Sequence, residues 1–217
     1  MGADPLPARI GGAVAGRIVD RYARRPAGIL ACVLHARGPS HDTTHRAVLA
    51  AVGPLVPSDV LLDVGSGAGR FLELALRSGC SAVGVDHSAD MRSLAGRRNA
   101  SACRDGRLRL VAGAAEDLPF ASGAFTHVTM TAVFFFLADP ARALAEARRV
   151  LRPDGTIVVL TGSREAGRRL GPRFLRDRMH LHSDAALSEL ATGAGFTAVR
   201  IERTRPGGQL LRARTPE

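Results

Sequence analysis

The segment DVGSGAGRF, residues 63–71, joins a short apolar run to a stretch with helical periodicity. It carries glycines at alternate positions, at Gly65, Gly67 and Gly69. A glycine-rich turn between a strand and a helix places backbone N–H groups and the positive end of the helix outside the carboxyl edge of a sheet. The turn therefore predicts an α/β fold with a crevice at that edge that binds a polar or anionic ligand.

The rest of the sequence supports an α/β fold, because β-rich apolar runs alternate with helix-length amphipathic stretches from residue 60 onward. A Pro-Gly-Gly turn at residues 206–208 leaves no room for a helix between the last two runs, so these strands pair antiparallel. The predicted strands cover residues 60–64, 82–86, 108–112, 126–130, 156–160, 198–203 and 210–213. The predicted helices cover residues 69–78, 88–101, 140–151 and 183–194.

We interpret the 217 residues as one core with additions, because the chain contains no internal repeat and can bury one substantial core. Residues 1–55 are expected to form an N-terminal helical cap packed on that core. Residues 56–217 are expected to form the core domain. Within it, residues 164–182 begin with an arginine-rich stretch that interrupts the strand and helix pattern, and we interpret them as a lid insertion.

The chain has a formal net charge of +10, and all 30 of its basic residues are arginine. A nucleic-acid-binding face would concentrate this charge and interleave aromatic side chains. The arginines are instead spread along a chain with one tyrosine and no tryptophan, so a nucleic-acid partner is not favoured. No apolar run approaches the length of a membrane span, and early charges break any signal-peptide core. We expect a cytoplasmic protein with no membrane contact.

The three cysteines, Cys32, Cys80 and Cys103, are far apart and form no CxxC pair. No histidine lies at metal-ligand spacing from them, so neither a zinc site nor a disulfide framework is indicated. We therefore expect no bound metal. The oligomeric state is not fixed by the sequence, and a homodimer is retained as one arrangement.

Three further features lie where a nucleoside bound at the glycine turn would meet them. Asp86 ends the second predicted strand, where a carboxylate can accept both hydroxyls of a ribose. Glu116 and Asp117 follow the third strand, ahead of an apolar Leu-Pro-Phe turn that can wall an adenine ring. Arg70 stands where the third glycine of the dinucleotide fingerprint GxGxxG would fall, which disfavours an NAD-dependent oxidoreductase.

The order and spacing of these features between Val60 and Leu160 resemble those of class I S-adenosylmethionine-dependent methyltransferases. The resemblance is to the small-molecule branch that includes the ubiquinone and menaquinone biosynthesis enzymes, and it extends from about residue 40 to the C-terminus. It implies a Rossmann-like, doubly wound, seven-stranded and mostly parallel sheet in the order 3-2-1-4-5-7-6, with strand 7 antiparallel.

The resemblance also implies S-adenosyl-L-methionine as the cofactor, S-adenosyl-L-homocysteine as the product and a small-molecule acceptor in specialised or quinone-type metabolism. A sulfonium already carries its leaving group, so positioning is sufficient and no metal is required. The implied cofactor-binding residues are Asp63, Gly65, Ser66, Gly67 and Gly69 at the methionine moiety, Asp86 at the ribose, His87 and Met91 beside the adenosine, Ala115, Glu116 and Asp117 at the adenine edge, and Thr131 at the reactive end.

The sequence departs from the family after the fourth strand, where three phenylalanines stand in succession at residues 134–136. Phe134 is expected in the core. Two interpretations stay open for Phe135 and Phe136, which either pack under the lid or face an apolar or aromatic acceptor. Arg173 and Arg176 either belong to a solvated face or donate to an acceptor that carries a carboxylate or phosphate.

No catalytic base is identified by the sequence. His41, His45 and His180 are candidates, each weighed against an incidental histidine near a cleft. His127 lies in a predicted central strand, so we interpret it as a hydrogen-bonded interior residue.

Two other classes of function stay open at this point. An RNA or protein methyltransferase is favoured by the net charge, but the chain has no appended nucleic-acid module and reads TAVFFF after the fourth strand. A cofactor-binding protein that does not methylate is equally compatible with the cofactor motifs, because these motifs report binding and not turnover.

Overall fold

The computed structural model of the protein describes residues 40–164, 179–204 and 207–217, with side chains from residue 43 onward. The helices are α1 (Ser40–Val52), α2 (Arg70–Ala75), α3 (Ala89–Arg98), α4 (Ala100–Arg104), α5 (Pro140–Val150) and α6 (Asp184–Gly193). The strands are β1 (Val60–Val64), β2 (Ser81–Val85), β3 (Leu108–Val111), β4 (Phe125–Thr131), β5 (Leu151–Gly162), β6 (Thr197–Thr204) and β7 (Gly208–Arg214). Single 3-10 turns cover Leu76–Ser78 and Phe134–Phe136.

The strands form one sheet in the order β3-β2-β1-β4-β5-β7-β6. The pairs among β1 to β5 are parallel, and β7 runs antiparallel to both β5 and β6. The predicted topology is confirmed. β1 pairs with β2 on one side and with β4 on the other. The chain therefore runs from β1 toward one edge of the sheet and, after returning at β4, continues toward the other edge. A ligand crevice opens outside the carboxyl ends of strands at such a reversal of strand order.

Helices cover both faces of the sheet, so its central strands are near-continuous apolar runs. On one face α5 and α6 pack against the sheet, and Leu144 and Leu187 there are completely buried. On the other face α1 and α2 pack against it, with Val48 and Leu72 completely buried. Helix α1 thus covers the sheet beside the helix that follows the glycine turn.

Two boundaries differ from the sequence-based expectation. β5 begins at Leu151, ahead of the predicted start at Thr156, because Leu151 already pairs with Phe125 of β4. The helix predicted over residues 88–101 is divided at Asn99, whose backbone leaves helical geometry. The side-chain amide of Asn99 donates to the carbonyl of Gly69 over 3.0 Å, so this interruption ties the helix pair to the glycine turn.

Parts of the predicted cap and lid lie outside the described residues. Of the cap at residues 1–55, the structure describes residues 40–55, which begin with α1. Of the lid at residues 164–182, it describes residue 164 and residues 179–182. None of the helices in the described part of the chain has the length and apolar character that crossing a bilayer would need.

Candidate functional site

The glycine turn after β1 is formed by three residues with left-handed backbone angles. The φ angles are 71° at Gly65, 51° at Gly67 and 73° at Gly69. A β-carbon at Gly65 would lie 2.7 Å from the side chain of Val133, and one at Gly69 would lie 2.7 Å from that of Asn99. A β-carbon at Gly67 would meet no atom within 4 Å. Close packing therefore requires the outer two glycines, whereas Gly67 faces open space.

Backbone hydrogen bonds hold this turn against the end of β2. The N–H groups of Gly65 and Ser66 both donate to the carbonyl of Val85, over 2.8 and 3.0 Å. The N–H of Gly69 donates to the carbonyl of Ser66 over 2.9 Å, which closes the turn. The open face at Gly67 is thus presented by a backbone in which the N–H groups of Gly65, Ser66 and Gly69 already have partners.

Asp86 lies directly after β2 and faces the same turn. Its Oδ2 accepts a hydrogen bond from the N–H of Gly67 over 2.9 Å, and its Oδ1 accepts one from the N–H of Ser88 over 2.8 Å. Arg92 donates to its main-chain carbonyl over 2.7 Å. A carboxylate has about four acceptor positions, so each oxygen can still accept from a ligand hydroxyl. The buried Asp86 carboxylate is oriented beside the open face at Gly67.

Asp63 lies in β1 below the turn and is almost completely buried. The hydroxyl of Thr129, its neighbour in β4, donates to its Oδ1 over 2.8 Å. Burial raises the pKa of Asp63 to about 7, although the Thr129 hydrogen bond lowers it, and the charge of Asp86 raises it further. A cation beside Asp63 would favour its ionised form. The crevice therefore suits a ligand with positive charge at this end.

Two hydroxyl groups in this region have no hydrogen-bond partner in the described part of the chain. They are the Oγ of Ser66, in the turn, and the Oγ1 of Thr131, at the end of β4. Thr131 is followed by Ala132, a non-glycine residue with a φ of 57°. Buried polar groups in folded proteins are nearly always hydrogen-bonded. The cofactor roles predicted for Ser66 and Thr131 would give these two hydroxyls a partner.

The loop after β3, predicted to form the adenine edge, is fixed to α5. Ala115 is buried and Asp117 is exposed. The Oε1 of Glu116 accepts from the N–H of Ala138 over 3.2 Å, and its carbonyl accepts from Arg142 over 2.8 Å. Glu116 thus joins this loop to the segment that follows the phenylalanine cluster.

Two residues of α5 that the sequence analysis missed anchor the same loop. Glu146 accepts from the N–H of Leu118 over 2.9 Å, and Arg149 donates to the carbonyls of Leu118 and Phe120 over 3.0 and 2.7 Å. Hydrogen bonding to Arg149 lowers the pKa of Glu146 to about 2, so this pair stays charged. In the sequence, the only sign of this ion pair was the spacing of three residues on a helix. Such pairs are usually exposed, so the spacing did not point to a role in holding a loop.

The two predicted neighbours of the adenosine differ in exposure. His87 is 48% exposed, and its Nδ1 lies 3.9 Å from the Oδ1 of Asp86. Met91 is completely buried in α3, and its N–H donates to the capping hydroxyl of Ser88 over 3.3 Å. His87 is accessible at the crevice, whereas Met91 supports the helix behind it.

The phenylalanine cluster meets one of the histidine candidates. Phe134 is completely buried, as predicted, whereas Phe135 and Phe136 are half-buried with ring centroids 4.5 Å apart. The N–H of His180 donates to the carbonyl of Phe135 over 2.8 Å, and the His180 side chain is exposed. The structure therefore brings His180 to the carboxyl end of β4.

Of the other candidates, the structure describes the side chain of His45, which lies away from this cluster. His45 lies on α1, with its ring 6.3 Å from that of Phe71 in α2. The side chain of His41, and Arg173 and Arg176, lie outside the described residues. His127 is an interior residue of β4 whose Nδ1 lies 2.7 Å from the hydroxyl of Thr126, as predicted. Over the residues that the structure describes, no three His, Cys, Asp or Glu side chains form a metal-binding group.

Residues 62–159, which include the glycine turn and Asp86, match the family model described as "Methyltransferase domain". The match covers 98 of the 217 residues. The chain is similar to the ubiquinone/menaquinone biosynthesis C-methyltransferase of Geotalea daltonii, 35% identical over 107 residues, which are 48% of this chain and 46% of that protein. It is also similar to the malonyl-[acyl-carrier protein] O-methyltransferase of Geobacter sulfurreducens, 37% identical over 155 residues, which are 65% of this chain and 57% of that protein.

The chain has the same fold as solved structures described as methyltransferases. One is the geranyl diphosphate C-methyltransferase of Streptomyces coelicolor in complex with Mg²⁺, geranyl diphosphate and S-adenosyl-L-homocysteine, with a TM-score of 0.69 and 18% identity. That comparison covers 81% of this chain and 79% of the other. The chain spans about half the length of the curated relatives it matches.

The different surroundings of two glycines in the turn predict different costs of substitution. Gly67→Ala introduces only the cost of a left-handed alanine, about 1 kcal/mol. Gly69→Ala adds a collision with Asn99 and Ala95, for which about 1–3 kcal/mol more is expected. Urea unfolding of the two variants measures the difference. Equal losses in unfolding free energy would contradict the open space at Gly67.

The raised pKa of Asp63 predicts a pH-dependent stability. Asp63 keeps its proton in the folded state up to about pH 7, against an ordinary value of 3.8. The contribution of protonated Asp63 to the free energy of unfolding is therefore fully present below about pH 4 and is lost as the pH rises to about 7. Relative to wild type, Asp63→Asn should gain stability across this window by up to about 1.4 kcal/mol per pH unit.

Urea unfolding of wild type and Asp63→Asn at several pH values tests this expectation. Asp105→Asn is the matched control, because Asp105 is exposed at the end of α4. A stability difference between wild type and Asp63→Asn that does not change with pH would show that Asp63 is ionised throughout.

Proposed function

We propose that the chain is an S-adenosyl-L-methionine-dependent methyltransferase that transfers a methyl group to an O, N or C atom of a small-molecule acceptor. The observation that carries the proposal is the open face at Gly67 beside the Asp86 carboxylate, whose Oδ2 accepts from the Gly67 N–H. A bare backbone and an oriented carboxylate are what a nucleoside needs at the edge of such a sheet. The family match of residues 62–159 supports the same activity.

In this proposal each part of the crevice binds one part of the cofactor. Asp86 accepts the ribose hydroxyls. Asp63, Gly65, Ser66, Gly67 and Gly69 surround the methionine end, where the carboxyl of Asp63 compensates positive charge. His87, Met91, Ala115, Glu116 and Asp117 line or support the adenosine end, and Thr131 lies at the reactive end. Glu146 and Arg149 hold the adenine-edge loop in place.

The cofactor, when bound, supplies an activated methyl group on a sulfonium. The chain's own residues then have to align the acceptor and exclude water, and a base is needed only where the acceptor must lose a proton. Our candidate for that base is His180, because its backbone N–H is hydrogen-bonded to Phe135, beside the proposed acceptor. His41 and His45 stay alternatives. The proposal requires no metal, and the product is S-adenosyl-L-homocysteine.

The acceptor is proposed to be largely apolar or aromatic, because the half-buried rings of Phe135 and Phe136 lie directly after β4. Specialised or quinone-type metabolism is the setting we infer, in keeping with relatives named for quinone biosynthesis. The same proposal includes a cap formed by residues 1–55 and a lid formed by residues 164–182, which carries Arg173 and Arg176. A cytoplasmic location, no nucleic-acid partner and a homodimer also stay proposals.

Calorimetry on the full chain tests the cofactor assignment. We expect S-adenosyl-L-methionine and S-adenosyl-L-homocysteine to bind and NAD not to bind. Asp86→Ala should weaken binding of both by about 1–3 kcal/mol, because it removes a charged hydrogen-bond acceptor for the ribose. Asp105→Ala serves as the control and should bind both as wild type does.

Turnover is followed with methyl-labelled cofactor and a metabolite extract. The proposal expects one small molecule to gain a methyl group in a wild-type reaction that EDTA does not affect, and far less product with Asp86→Ala. Binding of NAD alone, or unchanged cofactor affinity in Asp86→Ala, would contradict the cofactor site. Cofactor binding with no methylated product from any extract would contradict the transferase activity.

A further inference from the structure

The segment that leads into α6 lies beside the end of β5. Ser163 and His182 form a parallel bridge, and the N–H of Arg164 donates to the carbonyl of His182 over 3.1 Å. The ring of His182 packs edge-on against that of Phe134, with centroids 5.9 Å apart. His182 is thus placed between the end of β5 and the phenylalanine cluster.

Two further polar residues, Thr161 and Gln209, lie on the neighbouring strands β5 and β7. They are directly opposite each other on the antiparallel strands β5 and β7, so their side chains lie on the same face. Thr161 is 3% exposed and Gln209 is completely buried. Thr161, near the end of β5, lies two residues before Ser163, so the two face the same side of the sheet. Because Ser163 is bridged to His182, the side chains of Thr161, Gln209 and His182 belong to one region at the carboxyl end of β5.

The orientation of the Gln209 amide is fixed by Asp184. An ionised carboxylate only accepts hydrogen bonds, so the Nε2 of Gln209 must face it. Arg203 holds the same carboxylate through bonds of 2.9 and 2.7 Å, and hydrogen bonds from Gln209 and Arg203 lower the pKa of Asp184. The Oε1 of Gln209 is left as an acceptor that points away from Asp184.

Each of these three residues has a buried polar atom without a hydrogen-bond partner among the described residues. The atoms are the Oγ1 of Thr161, the Nε2 of His182 and the Oε1 of Gln209. Folded proteins rarely leave one such atom unpaired, and a group of three points to a ligand. Neither Thr161 nor Gln209 was among the predicted site residues.

We propose that Thr161, His182 and Gln209, at the carboxyl end of β5, form a polar subsite that binds a neutral, hydroxyl-bearing group of an apolar or aromatic acceptor. This inference rests on the proposed function. Gln209 offers an oxygen that can only accept, so the ligand group must donate, while the Thr161 hydroxyl can donate or accept. Phe134 supplies an apolar surface beside it.

The charges around the subsite favour a neutral group. Burial lowers the pKa of His182, and the charges of His180 and Arg164 lower it further, so its imidazole is neutral at pH 7. An anionic group would meet Asp184 behind Gln209, and a cationic group would meet Arg164. A hydroxyl meets neither penalty.

The test uses 2-naphthol and 2-methoxynaphthalene as probes, because the second keeps the aromatic rings and the oxygen but carries a methyl group in place of the donor hydrogen. Calorimetry is done on the full chain with and without S-adenosyl-L-homocysteine. Wild type is expected to bind 2-naphthol at least about tenfold more tightly than 2-methoxynaphthalene. Thr161→Val and Gln209→Met should reduce this preference to less than about threefold and leave the affinity for S-adenosyl-L-homocysteine unchanged.

Thr156→Val is the matched control, because Thr156 is a buried threonine in the middle of β5, at the far end of its pairing with β7, and it should keep the full preference. Without ligand, Thr161→Val should unfold at the same Tm as wild type or higher, since it removes an unpaired hydroxyl. No preference for 2-naphthol in wild type, an undiminished preference in both variants, or a Tm several degrees lower in Thr161→Val would overturn the subsite. A wild type that prefers 2-naphthol but binds no S-adenosyl-L-homocysteine would overturn the proposed function alone.

Discussion

The hydrogen bond from the N–H of Gly67 to the Oδ2 of Asp86 joins the two strands on which the crevice is built. It links the turn after β1 to the residue after β2, so the bare backbone and the carboxylate keep a fixed relation. The surrounding structure supports this contact from several directions. The carbonyl of Val85 holds the turn, and Asn99 holds its far end at Gly69. The break between α3 and α4 at Asn99 is thus part of the site's support.

The same contact concentrates negative charge in a protein with a net charge of +10. Asp86 lies close enough to raise the pKa of Asp63 beyond the effect of burial. Two neighbouring carboxyl groups cannot both ionise cheaply without a counter-charge. A ligand with a sulfonium and an ammonium group would supply that counter-charge, so its binding and the ionisation of Asp63 would favour each other. The raised pKa of Asp63 therefore agrees with the positive charge of the proposed cofactor.

How much of this could be predicted from the sequence depends on the range of the interactions. The turn at Gly67, the position of Asp86 and the antiparallel hairpin follow from local patterns, and all three lie where the sequence predicts. The early start of β5 at Leu151 depends on pairing with Phe125, a partner that no local pattern identifies. The adenine-edge loop is held by α5 through Glu146, across 28 residues of chain. The grouping of Thr161 with Gln209 depends on the register of two strands, which the sequence does not fix.

The proposed acceptor side is formed by elements that come together only in the fold. The phenylalanine cluster follows β4, His182 comes from the segment before α6, and Gln209 comes from β7. Each of these segments is ordinary by itself. Together they place an apolar wall, and polar atoms with no partner among the described residues, at the carboxyl ends of β4 and β5 and the amino end of β7, across β1 from Asp86. A site of this kind separates cofactor binding from acceptor choice, because different strands carry the two tasks.

A crystal structure of the chain with S-adenosyl-L-homocysteine tests the central contact most directly. The account predicts the ribose hydroxyls at about 2.6–3.2 Å from the carboxylate oxygens of Asp86, with the homocysteine end lying along Gly67. A nucleoside bound elsewhere, or an Asp86 side chain turned away from the sugar, would contradict it.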